Sequence, residues 1–220
     1  EVLFPLNMVG DAEGCKRNDD ATIKTPTGFP EAYAQLVESE WLSLSADPAY
    51  GGQGLTLVEH LIASEELGRV SAPEGINTLG KELVGPIVLA LGTEEQKKTV
   101  IPRMLRLDDI WCQGFSEPGS GSDLASLTTR AVEKDGRWVI NGQKVWTSFA
   151  QYSHRCILLT RTGDAGTPDH RAITAFFVDL DTPGITVRPL RTMHGVDEFC
   201  EVYFDDVVVD ANRMLGNPGD

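Results

Sequence analysis

Positive charge is scarce in this 220-residue chain: 19 Lys and Arg stand against 33 Asp and Glu, for a formal net charge of −14. A surface this acidic repels a phosphate backbone, which argues against nucleic acid as a partner. Cysteine is sparse and scattered. Cys15, Cys112, Cys156 and Cys200 form no CxxC pair, and His60, His154, His170 and His194 show no ligand spacing, so no metal site is expected. Without a disulfide framework the cysteines read as small buried apolar groups in a reducing, cytoplasmic compartment. No apolar run reaches the length of a membrane span. Glu1 to Leu6 lacks the basic start and small-residue cleavage site of a secretory leader. The sequence opens on Glu rather than Met, so a fragment or a processed product is expected. Nucleotide and hydrolase signatures are missing as well. Gly52-x-Gly54 and Gly119-x-Gly121 lack the third glycine of a dinucleotide loop, and Gly114-x-Ser116 fails as a nucleophile elbow at Pro118. There is no HExxH and no phosphate loop.

What is present divides near Leu107, giving an expected helical domain over 1–107 and a β domain over 108–220. Residues 1–28 show little periodicity and read as loop. Pro30 opens a helix with Tyr33, Leu36, Val37 and Trp41 on one face. Thr56 with Glu59, and Thr93 with Gln96, have the spacing of capping boxes. The first starts a helix with Val58, Leu61, Ile62 and Glu65 on one face, stopped at Gly68. The second starts one that buries Val100, Ile101, Met104 and Leu105. Between them a third helix carries Leu83, Val84, Ile87, Val88 and Leu91. After Leu107 the period falls to two. Asp135-Gly136 and Asn141-Gly142 read as tight turns between short strands, with further strands near 143–148, 155–162, 171–179, 185–190 and 199–209. Residues 163–170 read as an exposed loop. The expected fold is α+β: an N-terminal helical bundle segment followed by a small antiparallel β-barrel or sandwich.

Two stretches carry chemistry. Gln113-Gly114-Phe115-Ser116-Glu117-Pro118-Gly119-Ser120-Gly121-Ser122-Asp123 leaves a strand through Pro and glycines and is dense in hydroxyls. Such a loop suits an anionic or polar cofactor, because glycines admit backbone N–H groups to a ligand and hydroxyls donate to it. An ordinary turn fits the same composition. Ile140 to Ser148 ends in Trp146-Thr147-Ser148. That trio walls a planar ring and bonds its edge, or is a core Trp followed by exposed hydroxyls.

Together the stretches resemble the acyl-CoA dehydrogenase family. Phe115 to Asp123 matches its "[FYC]-[ST]-E-P-x-[AS]-G-S-D" segment and Ile140 to Ser148 its "I-N-G-x-K-x-W-[IT]-[TS]". Tyr50-Gly51-Gly52-Gln53-Gly54-Leu55, Gly92-Thr93-Glu94-Glu95-Gln96-Lys97 and the strand from Phe199 to Val207 extend the likeness from about residue 30 to the end. The resemblance implies a flavoprotein with flavin adenine dinucleotide (FAD) between the β domain and a C-terminal helical domain. It implies that Phe115 and Ser116 bond the flavin's pyrimidine end, with Gln113 beside them. Gly121 and Ser122 then line the pyrophosphate, Ser122 also the acyl-CoA's pantetheine arm. Trp146 covers the isoalloxazine, and Thr147 and Ser148 reach its N5 edge. Glu117 and Asp123 are expected as turn and helix-cap carboxylates. The implied activity is α,β-dehydrogenation of an acyl-CoA in β-oxidation, with electrons passed to an electron-transfer flavoprotein in a homo- or hetero-oligomer. The catalytic glutamate is expected beyond residue 220, which leaves this chain inactive alone. An acyl-CoA oxidase or flavin monooxygenase of the same fold, and a non-catalytic partner subunit, are the alternatives.

Overall fold

The computed structural model describes residues 6–17, 23–39, 45–72, 75–163 and 169–218. The N-terminal stretch is more ordered than its composition implies. Helix α1 (Leu6–Glu13) and a two-stranded pair, β1 (Lys16–Arg17) and β2 (Ile23–Lys24), replace the expected loop. Elements this short complete too few periods to be read from sequence. The Glu13 carboxylate anchors the stretch by accepting from Thr27 N and Oγ1 at 2.8 and 3.0 Å.

Helix α2 (Phe29–Glu38) starts after Gly28, whose φ of 83° suits glycine, and carries Pro30 in its first turn. Tyr33, Leu36 and Val37 are half-buried; Trp41 lies outside the described residues. Both capping boxes form, on α3 (Leu57–Arg69) and α5 (Glu94–Leu105). Helix α3 runs past Gly68, which has no strain that would end it there. Its apolar face is not buried: Leu57 is 70% and Leu61 56% exposed, since no described element covers it. The third expected helix is α4 (Gly85–Leu91), entered through a π-helical turn, Gly80–Val84. A Cβ at Gly80 would lie 2.4 Å from Asn77 Oδ1. Asn77, fully buried, donates from Nδ2 to Met104 O and Asp109 O and accepts from Trp111 N, all within 3.0 Å. One side chain thereby satisfies three backbone groups where helix gives way to strand.

Eight strands form one sheet: β3 (Trp111–Gly114), β4 (Arg130–Lys134), β5 (Arg137–Ser148), β6 (Arg155–Arg161), β7 (Ile173–Asp179), β8 (Ile185–Leu190), β9 (Phe199–Asp210) and β10 (Met214–Leu215). The path runs β10-β7-β6-β4-β5-β9-β8. Most pairs are antiparallel, but β3 and β4 both pair with β6 in parallel. The sheet folds over on itself: Trp138 on β5 meets Phe176 on β7 edge to face at 5.3 Å, although the strands are not neighbours. The expected sandwich-like β domain is therefore a single folded sheet. Alternation assigns its two faces. Cys156, Leu158, Phe176 and Val178 point into the fold, while Ile157 and Phe177 point back onto Val88, Val100 and Met104 of the helices.

Asp135-Gly136 is a two-residue hairpin turn with both φ positive, as read from sequence. Asn141-Gly142 is not a turn. It lies inside β5, opposite a bulge in β9 where Ile140 faces Val207 but Gly142 faces Phe204. The Asn141 side chain serves that bulge, donating to Asp206 Oδ1 at 3.0 Å and accepting from Asp206 N at 2.9 Å.

Candidate flavin and acyl-CoA site

Strand parity dictates the unusual feature of β5. Trp138, Ile140 and Lys144 point inward, and strict alternation would send Trp146 inward too. Between Lys144 and Thr147 the strand gains one residue: Lys144 faces Val202 and Thr147 faces Cys200. Trp146 takes a φ of 61° in this bulge, a costly conformation for a bulky residue. The effect is to turn the indole out, 59% exposed, braced edge to face on Phe199 at 5.8 Å, and to turn Thr147 in. Backbone strain of this kind clusters at ligand sites.

Inward-pointing Lys144 explains why the two motif stretches act as one. Its Nζ donates to Phe115 O at 3.0 Å and to Glu117 Oε1 at 2.8 Å, with the two side chains 0% and 4% exposed. Val145 N donates to Ser116 O at 2.9 Å. Three bonds thus fasten Phe115, Ser116 and Glu117 to the strand end that carries Trp146. Gly114 permits the approach, since a Cβ there would meet Leu158 Cδ1 at 2.9 Å and Cys156 Sγ at 3.0 Å. Glu117 also accepts from Thr128 N, Thr128 Oγ1 and Thr129 N at 2.7 to 2.8 Å. Burial pushes its carboxyl up, but Lys144 and the two threonines overcome that and hold it down to about 2. Burial pulls the Lys144 ammonium below the usual lysine range against the attraction of Glu117. Glu117 is a permanently ionised strut rather than a base. Its partners are Lys144 and the two threonines, not the N–H groups of its own turn. Asp123 sits at the N-cap of the short 124–126 helix without a side-chain cap bond; its carbonyl accepts from Ser120 Oγ and Ser126 Oγ.

The remaining motif residues are spread along the same edge. Gln113 is half-buried in β3 beside Ile157, and the Phe115 ring packs on the helix-facing core. Reciprocal backbone bonds between Glu117 and Ser120 turn the chain at Pro118-Gly119, leaving Gly121 and Ser122 exposed. A Cβ at Gly119 or Gly121 would meet nothing within 4 Å. No hydrogen bond among the described residues ties Gly121 or Ser122 to β5. The Ser116, Ser122 and Ser148 hydroxyls have no partner there either. A planar, edge-polar ligand fits this donor set: one exposed indole face, hydroxyls at both ends, and open loop beyond. Thr147 differs, since its Oγ1 is buried and unpartnered, turned away from that edge. Two cavities lie elsewhere. One of about 420 Å³ is walled by the ion pairs Arg103–Asp109, Arg155–Asp109 and Arg155–Asp179 at 2.7 to 3.2 Å. Another of about 310 Å³ lies between α3 and α4 against Ile101 and Met104. Neither includes a motif residue. Among the described residues no cluster of His, Cys, Asp or Glu suits a metal, and no helix is long and apolar enough to cross a membrane.

Comparison with known proteins settles the family. The model for "Acyl-CoA dehydrogenase, middle domain" matches residues 112–207, and that for "Acyl-CoA dehydrogenase, N-terminal domain" matches 14–108. The chain belongs to the acyl-CoA dehydrogenase family. It is 45% identical over 171 residues to acyl-CoA dehydrogenase IpdE1 of Mycobacterium tuberculosis, covering 78% of this chain and 44% of that protein. Among solved structures it resembles the ChsE4-ChsE5 complex of Mycobacterium tuberculosis, with 36% identity and a TM-score of 0.77 over 88% of this chain and 49% of that one. It also resembles the Tcur3481-Tcur3483 steroid ACAD, with 35% identity and a TM-score of 0.77 over 88% and 49%. The chain thus spans about half the length of the relatives it matches.

Of the functional residues, sequence reasoning missed Lys144. The available signal was parity: β5's inward alternation places a lysine in the core, where it requires an acid, and Glu117 is the acid of the other motif.

Proposed function

We propose that this chain carries the front half of an FAD-dependent acyl-CoA dehydrogenase, with residues 1–107 and 108–220 as its helical and β domains. The observation that carries this reading is the outward Trp146, strained at φ 61° and fastened by Lys144 and Val145 to the Phe115–Ser116 loop. In the proposed site, Phe115 N–H and the Ser116 hydroxyl bond the pyrimidine edge of the isoalloxazine. Trp146 covers one face and excludes water from it, and Ser148 bonds the N5 edge. Thr147 acts through its backbone, since its hydroxyl faces inward. Gly121 and Ser122 line the pyrophosphate and pantetheine path, and Gln113 supports the loop from β3. Bound FAD would supply the acceptor for the hydride leaving the substrate's β-carbon. The acceptor of the α-proton is proposed to be a glutamate outside residues 1–220, and the final electron acceptor an electron-transfer flavoprotein. A steroid-derived acyl-CoA heads the substrate classes, because a neighbour at 35% identity is named a steroid ACAD.

A second reading makes the chain a non-catalytic partner subunit, favoured by neighbours named as two-component assemblies. Acyl-CoA-dependent reduction of an artificial electron acceptor separates the two, measured on the whole protein alone and with a second family member. The dehydrogenase reading predicts enoyl-CoA formation by a flavin-loaded protein without oxygen uptake. Stable assembly with an active homologue, while this chain's own site holds no flavin, would overturn it in favour of the partner reading. Oxygen uptake coupled to turnover would make it an oxidase.

A further inference from the structure

Among the described residues two aromatic side chains sit on left-handed backbone: Trp146 at φ 61° and Phe149 at φ 57°. They flank Thr147 and Ser148 at the end of β5. The proposed flavin site uses the first and not the second. The backbone of Phe149 is held from both sides. Its N–H donates to Glu198 O at 2.8 Å, and its carbonyl accepts from Tyr152 N at 2.9 Å and Ser153 Oγ at 3.0 Å. None of these bonds involves the Phe149 side chain, so the φ, ψ of 57° and 20° is imposed by the turn. Glycine and asparagine take that conformation readily, and a bulky residue takes it at a cost.

Core packing does not account for the ring. The turn itself is closed down, with Ala150 and Gln151 only 0% and 5% exposed, yet Phe149 is 38% exposed. It belongs to neither hydrophobic core and makes no ring–ring or cation–π contact among the described residues. Its surroundings belong to the site: Ser148 lies opposite Phe199, and Phe199 braces Trp146 at 5.8 Å. A local rule broken with no gain in packing points to a ligand.

Which part of the ligand it meets follows from order along β5, and rests on the flavin reading above. Ser116, assigned to the pyrimidine end, is bonded beside Val145. Ser148, assigned to the N5 edge, comes three residues further along the strand. Phe149 is the next residue, on the side away from the pyrimidine, where the three-ring system ends in its dimethylbenzene portion. We propose that Phe149 packs against that end. It is the apolar end of the flavin, and an aromatic side chain is the group that suits it. Trp146 over the face and Phe149 at the benzenoid edge then form one aromatic wall that keeps solvent from C7 and C8.

The test needs no turnover and uses the whole protein. Phe149→Asn suits left-handed backbone, so the circular dichroism melt of the flavin-free protein should hold or rise. Phe149→Tyr keeps an aromatic face. In absorbance titrations FAD affinity should fall about tenfold in Phe149→Asn and stay within about threefold of wild type in Phe149→Tyr. The second readout replaces FAD by 8-chloro-FAD and adds thiophenolate. The thiolate attacks C8, a C–S bond forms as chloride leaves, and the colour change reports how open the benzenoid end is. Displacement should be about tenfold faster in Phe149→Asn than in wild type, with Phe149→Tyr close to wild type. If wild type binds FAD and Phe149→Asn changes neither affinity nor displacement rate, the Phe149 assignment falls while the flavin reading stands. A melt of Phe149→Asn well below wild type would make the ring a packing residue and overturn the assignment too. A folded wild type that binds no FAD overturns both.

Discussion

Replacing Lys144 by methionine is the most informative perturbation of the site. The side-chain volume is nearly kept, but Glu117 is left as a buried carboxylate with three neutral donors and no cation. Breaking a buried pair from one side costs about 3 to 5 kcal/mol, because the remaining charge is uncompensated. The threonine donors put this case near the lower end. An independent figure comes from linkage. Glu117 is depressed from 4.5 to about 2, and at about 1.4 kcal/mol per pH unit that is about 3 kcal/mol of stability. The folded pKa lies below the unfolded one, so this contribution is complete above about pH 4.5 and is lost as pH falls toward 2. Burial of the Lys144 ammonium opposes it, which makes about 3 kcal/mol a ceiling for the pair. Urea unfolding at neutral pH is the assay, with Lys144→Met, Glu117→Gln and the double variant forming a cycle. The double variant removes both charges but keeps an amide oxygen for the threonine N–H groups. It should be more stable than the sum of the single losses by about 2 kcal/mol or more. Its acid limb between pH 4.5 and 2 should be flatter than that of the wild type. A Lys144→Met loss under about 1 kcal/mol, or strict additivity in the cycle, would refute the strut.

Three further outcomes follow from single positions. Trp146→Gly relieves the φ of 61° and loses the Phe199 contact and unfolded-state order, so its melting free energy should stay within about 1 kcal/mol of wild type. Flavin affinity should fall at least about tenfold in the same protein, which separates a functional indole from a structural one. Gly142→Ala places a Cβ 2.4 Å from Thr129 Oγ1 at a φ of 153°, and should cost about 2 kcal/mol or more in denaturant unfolding. Asn77→Ala strips three backbone groups of their partner where α5 meets β3, with an expected loss of about 2 to 4 kcal/mol by the same assay.

The sequence is most legible where one physical rule acts alone. Thr56-x-x-Glu59 and Thr93-x-x-Gln96 form as capping boxes because the signal is local. The strands near 155, 173 and 199 form where their apolar runs place them, because each buries side chains in the core, while Ile185–Leu190 forms as a half-buried strand paired to β9. Reading fails where two rules compete. Asn-Gly is a strong hairpin dipeptide, yet at 141–142 the hairpin is already closed by Asp135-Gly136. The glycine instead lets Thr129 pack on a bare Cα opposite the β9 bulge. The α3 stripe from Val58 to Ile62 has the period of a buried face, but amphipathicity cannot say which element covers it. Within the site, motif resemblance pointed to Ser116, Trp146 and Ser148 without a reason for their proximity. The reason is Lys144, and parity contained it. The outward turn of Trp146 was not legible, because a one-residue bulge leaves no mark in composition.

A flavin pocket at Phe115–Ser116 and Trp146–Ser148 is the central claim, and titration with FAD tests it most directly. The chain is mixed with FAD, alone and with a C-terminal helical domain of the family supplied in trans, and absorbance near about 450 nm is followed through gel filtration. The expected result is a flavin band that co-elutes with protein, at least when the helical domain is present, and that is lost in Trp146→Gly. A correctly folded chain that carries no flavin under either condition would contradict it.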